Sequence, residues 1–397
     1  MEGMSRSFVS SRVSWLSGAM TREFMKMMWG VPELISLTAG EPDFKTPEHI
    51  IEVAKRALDE GFTHYTPTGG IPELLEAIAE KLSRENGVDY DPEREIMCVP
   101  GTQEAVFITL FSTIDPGDEV ILTDPTYLAY ASVVMLCGGK PVSVPVTEEE
   151  GFRIDVEELE KKITDKTKLL ILNTPNNPTG AVYTRSTLEA IADVAQRHDL
   201  LVISDEIYEK IIYDGAEHVS FASLPNMKER TITINGFSKA YAMTGWRIGY
   251  VAAPSQLIEK MMAANGYIIV CPNSIAQRAA HAALTGPQDC VEEMVKEFDR
   301  RRKVIVQGIN EIEGIHCFLP KGAFYAWVNI KETGLSSFEL TFKLFQEAKV
   351  GVLPGSAFGA QGEGYLRISY AASMDSIERA LERIKPVIER VVEEKGQ

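Results

Sequence analysis

Between residues 95 and 255, short apolar runs rich in β-branched residues alternate with longer stretches of helical period. The runs are EIMCV (95–99), EVILT (119–123), KLLILN (168–173), LLVIS (200–204), TITIN (231–235) and IGYVAA (248–253). Their apolarity is nearly continuous, which fits strands buried on both faces of a sheet. Segment 186–199, STLEAIADVAQRHD, reads as a connecting helix. Ser186 and Glu189 match a capping box, and Leu188, Ile191, Ala192 and Ala195 form one apolar face. Strand–helix–strand units of this kind predict an α/β large domain over about 46–284, its central sheet mostly parallel and flanked by helices.

The pattern changes beyond that point. HCFLPKGAFYAWVNI (316–330) and GYLRISYA (364–371) predict strands of a smaller sheet, with helices near 287–312, 336–347 and 374–394. A smaller α+β domain is therefore expected over 285–397, with the N-terminal arm, 1–45, packed against it.

Composition narrows the function classes. The chain has 397 residues, 45% apolar and 24% charged, enough for two or three globular domains. A formal net charge of −17 repels nucleic acid unless a local basic patch overrides it. The nearest such patch, Asp299-Arg300-Arg301-Arg302-Lys303, reads as one exposed helix turn. Five cysteines (Cys98, Cys137, Cys271, Cys290, Cys317) stand singly, which argues against a disulfide framework and for a reducing compartment. The six histidines show no spacing with acids or cysteines that marks a metal site. No apolar stretch has the length of a signal peptide or of a membrane span. The expectation is a cytoplasmic protein with no metal, nucleic-acid or membrane partner.

The candidate chemistry follows directly on the strand ends, where open parallel sheets bind ligands. After EIMCV comes Pro100-Gly101-Thr102-Gln103; after EVILT, Asp124-Pro125-Thr126-Tyr127; after KLLILN, TPNNPTG (174–180); after LLVIS, Asp205-Glu206-Ile207-Tyr208; after TITIN, GFSK (236–239). Each piece alone has a plain structural reading: a strand-to-helix turn, a helix cap, a proline turn, a surface lysine. Together they bring a carboxylate, a carboxamide, two phenols, a lysine and, from SKAYAMTGWRIGY (238–250), Arg247 to one rim. Neither the glycine fingerprint of dinucleotide sites nor a nucleotide P-loop is present. A phosphate cradle, a stacking ring, an acid for a ring nitrogen and a lysine are what pyridoxal phosphate needs. Its aldehyde forms an imine with a neutral amine such as Lys239, and Asp205 suits a protonated ring nitrogen. Asn177 and Tyr208 suit its phenolic oxygen, Tyr127 offers the stacking face, and Arg247 suits its phosphate.

The chain resembles the class I/II aminotransferases of pyridoxal-phosphate fold type I over nearly its whole length. The resemblance is carried by LTAGEPDFKTP (37–47), THYTPTGGIPELLEAIA (63–79), TPNNPTG, ISDEIY, FSKAYAMTGWRIGY and GYLRISYA. It is nearest to the prokaryotic aspartate and aromatic amino acid enzymes. The resemblance implies that Lys239 bonds the cofactor and then moves the proton between substrate Cα and cofactor C4′. It implies Asp205 at the pyridine nitrogen, Tyr208 and Asn177 at the phenolic oxygen, and Gly101, Thr102, Gln103, Ser238 and Arg247 about the phosphate. Tyr65 resembles the tyrosine that reaches the phosphate from the neighbouring subunit, which implies a homodimer. Arg367 resembles the arginine that clamps the substrate α-carboxylate, with Gly40, Tyr127 and Asn177 beside the substrate.

Three departures from the family pattern matter. Gly236 stands where many relatives have a serine that contacts phosphate. Tyr127 replaces a more usual tryptophan or phenylalanine. Gln103 stands where some aspartate-preferring relatives carry lysine, which favours aromatic or other hydrophobic donors over aspartate. Residues facing the donor are sought in SRVSWLSG (11–18) and NGYIIVCPNS (265–274). The reaction implied moves an amino group from an L-amino acid to a 2-oxo acid, 2-oxoglutarate for preference. A carbon–sulfur β-lyase or a cyclopropane-forming synthase uses the same fold and lysine. A non-catalytic effector-sensing module of this fold needs a DNA-binding segment ahead of residue 46.

Overall fold

The computed structural model describes residues 8–16, 26–28 and 30–395. After a two-residue strand, β1 (Ile35–Ser36), seven strands build the main sheet. They are β2 (Ile96–Val99), β3 (Glu119–Asp124), β4 (Lys140–Pro145), β5 (Thr167–Asn173), β6 (Leu201–Asp205), β7 (Thr231–Gly236) and β8 (Gly249–Ala252). The order is β2-β8-β7-β6-β5-β3-β4, and all pairings are parallel except the two made by β8. β2, β3, β7 and β8 are buried at every residue, as unbroken apolar runs require in a sheet covered on both faces. β4, KPVSVP, escapes the sequence pattern because it is an edge strand. Apart from buried Val144 it is partly or fully exposed, and it carries two prolines and Lys140, which pairs with Glu119 at 2.8 Å.

The helix over Arg185–Arg197 buries Leu188, Ile191, Ala192, Val194 and Ala195. Its cap is Thr184, whose hydroxyl accepts from the Thr187 N–H at 3.3 Å. The expected box at Ser186 and Glu189 is therefore displaced by two residues, and Ser186 lies in the first turn with its hydroxyl 3.0 Å from that of Thr184.

The remaining strands are β9 (His316–Cys317), β10 (Tyr325–Asn329), β11 (Val350–Gly351), β12 (Leu353–Pro354) and β13 (Tyr365–Ser369). An antiparallel sheet runs β12-β13-β10-β9, and β1 pairs in parallel with β11. The helices Asp289–Asn310 and Met374–Lys395 close this part over a core that includes Phe298, Ile305, Phe324, Leu340, Ile377 and Ile384.

Two expectations are corrected by packing. The run 299–303 is not one solvated turn, because Arg301 and Arg302 are buried. Arg302 holds Asp214 and Asp299 and lies 4.5 Å over the Tyr213 ring, while Arg301 holds Asp43 and Glu297. Each buried guanidinium thus has two carboxylates, the condition under which burying that charge is tolerated. The histidines, dispersed in sequence, are not all isolated in space. His218 Nε2 lies 3.1 Å from Glu206 and 3.9 Å from Glu209, and Lys81 pairs with Glu209. The five cysteines are free, and no helix among the described residues is long and apolar enough to cross a membrane.

Candidate active site

One rim of the main sheet gathers the candidate residues because β2, β5, β6 and β7 all end there. β8 runs the other way and begins there. Val99, Gly249 and Gly236 stand in one row of the ladder, and Asn173 pairs with Asp205 in another. The antiparallel β8 explains how Arg247, only eight residues beyond Lys239, returns to the same place. Arg247 takes a left-handed conformation (φ 53°, ψ 60°) immediately before that strand. A cavity of about 440 Å³ opens at the rim, between the main sheet and the smaller antiparallel sheet.

Lys239 faces this cavity with its amine donating to the Gly40 carbonyl at 2.5 Å. Burial, with the neighbouring charge of Arg367 and then Arg247, lowers its pKa to about 8. A neutral amine is thus accessible near physiological pH. Asp205 is buried at the end of β6, and burial raises its pKa to about 6 against hydrogen bonds that work the other way. The Tyr130 hydroxyl donates to its Oδ2 at 2.6 Å and the Ile207 N–H to its Oδ1 at 3.2 Å.

Arg367, on β13, is buried; it donates to the Thr38 carbonyl at 2.7 Å and to Asn177 Oδ1 at 3.1 Å. Its Nε is buried without a protein partner among the described residues. Tyr208 OH lies 2.7 Å from Tyr325 OH, and Tyr127 OH donates to Gln103 Oε1 at 3.2 Å. Thr102 opens the helix Thr102–Thr113, so its first N–H groups lack intrahelical acceptors and face the cavity wall that Ser238 and Arg247 share. Gly101, at φ +86°, lies behind that wall. A Cβ there would stand 2.5 Å from Arg247 Nη2, so only glycine lets the guanidinium close on the helix start. At Gly236 a Cβ would meet Gly249 Cα at 2.9 Å, so a side chain there requires the neighbouring strand to shift.

The cavity walls thus contain Gly40, Thr102, Gln103, Tyr127, Asn177, Asp205, Tyr208, Ser238, Lys239, Arg247 and Arg367. Tyr65 lies outside it and is 84% exposed. Neither stretch sought as donor-facing contributes to the walls within one chain; of 11–18, residues 17 and 18 lie outside the described residues. Sequence reasoning missed Tyr130 and Tyr325. Tyr130 follows Tyr127 by three residues, a spacing that puts both rings on one side of a helical turn, 5.4 Å apart and near perpendicular. Tyr325 had no local signal, because its partners Tyr208 and Arg367 come from distant segments.

These residues suit pyridoxal phosphate by the chemistry of their donors. A start for an anion cradle exists where Thr102, Ser238 and Arg247 line the cavity, with Gly101 behind them leaving room for the guanidinium. A buried carboxyl waits for a positive partner, a buried amine is easily deprotonated, and a buried guanidinium has one donor to spare.

Comparison with known proteins agrees. A family profile described as aminotransferase class I and II matches residues 32–384. An aspartate aminotransferase of Pyrococcus abyssi is 50% identical over 382 residues, 96% of this chain and 98% of the relative. An aromatic-amino-acid aminotransferase 2 of Thermococcus litoralis is 49% identical, with 96% of this chain and 98% of the relative covered. The crystal structure of an aromatic aminotransferase from Pyrococcus horikoshii superposes with a TM-score of 0.88 at 51% identity, over 94% of this chain and 99% of that one. Members of the family use pyridoxal 5′-phosphate. A profile spanning most of the chain, relatives half identical over nearly their full length and a shared fold together show that this chain belongs to the class I and II aminotransferases.

Proposed function

We propose that this transaminase takes the amino group of an aromatic L-amino acid and passes it to a 2-oxo acid, 2-oxoglutarate for preference, in two half-reactions at one cavity. The observation that carries the reading is Lys239: a buried amine, its pKa lowered to about 8, at the centre of a site with two arginines. Pyridoxal phosphate, when bound, supplies an electron sink for the pair left as the substrate Cα loses its proton, and stores the amino group between half-reactions.

The residues divide the remaining work. Lys239, neutral once deprotonated, is the nucleophile that holds the cofactor and the base that takes the Cα proton. Asp205 meets the ring nitrogen; a positive partner there offsets the burial that raises its pKa and holds it as the anion. Tyr208 and Asn177 serve the phenolic oxygen, and Tyr127 the ring face. Thr102, Gln103 through its backbone N–H, Ser238 and Arg247 hold the phosphate, and Gly101 lets the Arg247 guanidinium close on the helix start. Arg367 clamps the substrate α-carboxylate. Its hydrogen bonds to Thr38 and Asn177 fix the guanidinium in advance, so little entropy is lost on binding. Gly40 leaves room beside it. Tyr65, exposed on its own chain, serves the phosphate of the partner site in a homodimer.

The charges in the cavity wall support the aromatic reading. Among its described residues the cations are Lys239, Arg247 and Arg367, and each already has a task. Gln103, hydrogen-bonded to Tyr127, offers a distal group a neutral amide and no charge. The names of the relatives do not separate the choices, since an aspartate enzyme and an aromatic enzyme stand at 50% and 49% identity. Steady-state rates with 2-oxoglutarate test the donor. We expect kcat/KM for phenylalanine and tyrosine to exceed that for aspartate by at least about tenfold, the scale of one well-placed charge. Gln103→Lys narrows that ratio by raising aspartate turnover. Aspartate turned over faster than both aromatic donors by the unmodified enzyme contradicts the assignment.

A further inference from the structure

Tyr325 occupies a place that none of the roles above covers. Its hydroxyl is 2.7 Å from that of Tyr208, and its ring lies beneath the Arg367 guanidinium, 4.3 Å from Cζ to the ring centroid. β10 and β13 set this contact. Trp327 pairs with Arg367 and Tyr325 with Ser369, so Tyr325 and Arg367 are diagonal neighbours on one face of the small sheet. Tyr208 comes from the other side, just past β6 of the main sheet. Tyr325 is buried in the cavity wall, and a Cβ at Gly40 would stand 2.6 Å from its oxygen. The glycine at position 40 therefore makes room for this hydroxyl as well as for substrate.

We propose that Tyr325 is a positioning residue that couples the carboxylate clamp to the hydroxyl of Tyr208. The inference rests on the reading that Tyr208 faces the cofactor's phenolic oxygen and Arg367 the substrate. Tyr325 donates to the Tyr208 oxygen, which frees the Tyr208 proton to point onward. In a chain of hydroxyls each donation strengthens the next. The guanidinium over the Tyr325 ring favours it as the donor. The groups that face this pair are Arg367, Tyr127 and Lys239, whose ammonium nitrogen is 5.9 Å from the Tyr208 ring centroid. Arg367 thereby reaches the same end of the site by two routes, through Asn177 Oδ1 and through Tyr325.

A donor to the phenolic oxygen favours its anion, so weakening that donor leaves the oxygen more basic. The protonation step that the bound cofactor reports in its absorbance then moves to higher pH. The test is that pH titration on the holoenzyme for wild type, Tyr325→Phe, Tyr325→Leu and Tyr208→Phe. We expect Tyr325→Phe to raise the midpoint by about 0.5–1 pH unit, in the direction of Tyr208→Phe and by less. KM for the donor stays within about twofold in Tyr325→Phe, because the ring remains under Arg367. Tyr325→Leu shows the same midpoint shift and a KM raised about tenfold, because the ring too is lost. If Tyr325→Leu does not fold, the near-isosteric Tyr325→Phe decides the question by its midpoint alone. A midpoint equal to wild type in Tyr325→Phe, while Tyr208→Phe shifts, overturns the coupling. If neither variant shifts, the placement of Tyr208 at the phenolic oxygen is what fails, and the coupling falls with it.

Discussion

Lys239 illustrates how a single side chain holds a function at a cost to the fold. Its charge is buried beside Arg367 and Arg247, and its pKa falls from 10.5 to about 8. In the cofactor-free protein the folded state therefore carries an unfavourable ammonium below pH 8. As pH rises from 8 to 10.5 the folded state has shed this proton while the unfolded chain keeps it, so stability rises over that window. Replacing Lys239 by methionine, similar in length and uncharged, should stabilise the cofactor-free protein at pH 7 by about 2 kcal/mol. The gain should shrink between pH 8 and 10.5. Urea unfolding of both proteins at pH 7 and pH 10.5 measures it; equal stability at pH 7 shows that the amine is solvated and unperturbed. Lysine, Asp205 and Arg247 were legible as residues because each follows a readable strand end. Tyr130 and Tyr325 were not, because a buried phenol has the same sequence signature as a core aromatic until its partner is known.

At the scale of elements, unbroken apolar runs mark six of the seven strands in the main sheet, and helical period marks one of its connecting helices. What the pattern does not encode is direction. Nothing in IGYVAA marks β8 as antiparallel, yet that reversal brings Arg247 to the rim. Edge strand β4 was hidden for the opposite reason, since exposure, two prolines and a lysine erase the apolar run. The cap of the helix Arg185–Arg197 was misplaced because Thr184 and Ser186 are both good cap residues, and only backbone geometry separates them. Thr184 has extended angles (φ −71°, ψ 158°), as a cap requires. Thr184→Ala should destabilise the protein by about 1 kcal/mol, and Ser186→Ala by much less. Thermal or urea denaturation distinguishes the two, and the reverse ranking would restore the cap to Ser186.

For the whole molecule, the site is a junction. The main sheet supplies Lys239, Asp205 and Tyr208, the smaller sheet supplies Arg367 and Tyr325, and the segment after β1 supplies Thr38 and Gly40. Buried Arg301 and Arg302 belong to this junction too: they bind helix Asp289–Asn310 to Asp43 and Asp214. A run of charges in sequence reads as solvated because local pattern shows the charge and not its distant partner. Tyr65 and Tyr267 stand 84% and 96% exposed in the single chain. If Tyr65 serves the partner's site, Tyr65→Ala and Lys239→Ala chains complement one another. Unfolded together and refolded, they should recover about a quarter of wild-type activity, since half the dimers are mixed and each has one intact site. Activity no greater than the sum of the parents shows that each chain is complete alone.

We propose that one lysine, placed just past β7 by the sheet and made nucleophilic by burial, carries the cofactor. Borohydride reduction of the holoenzyme, followed by peptide mass mapping, tests it most directly. We expect one stoichiometric phosphopyridoxyl group, on the peptide containing Lys239, and its loss when phenylalanine is added before the reductant. A label on any other lysine, or retained by Lys239→Ala, would contradict it.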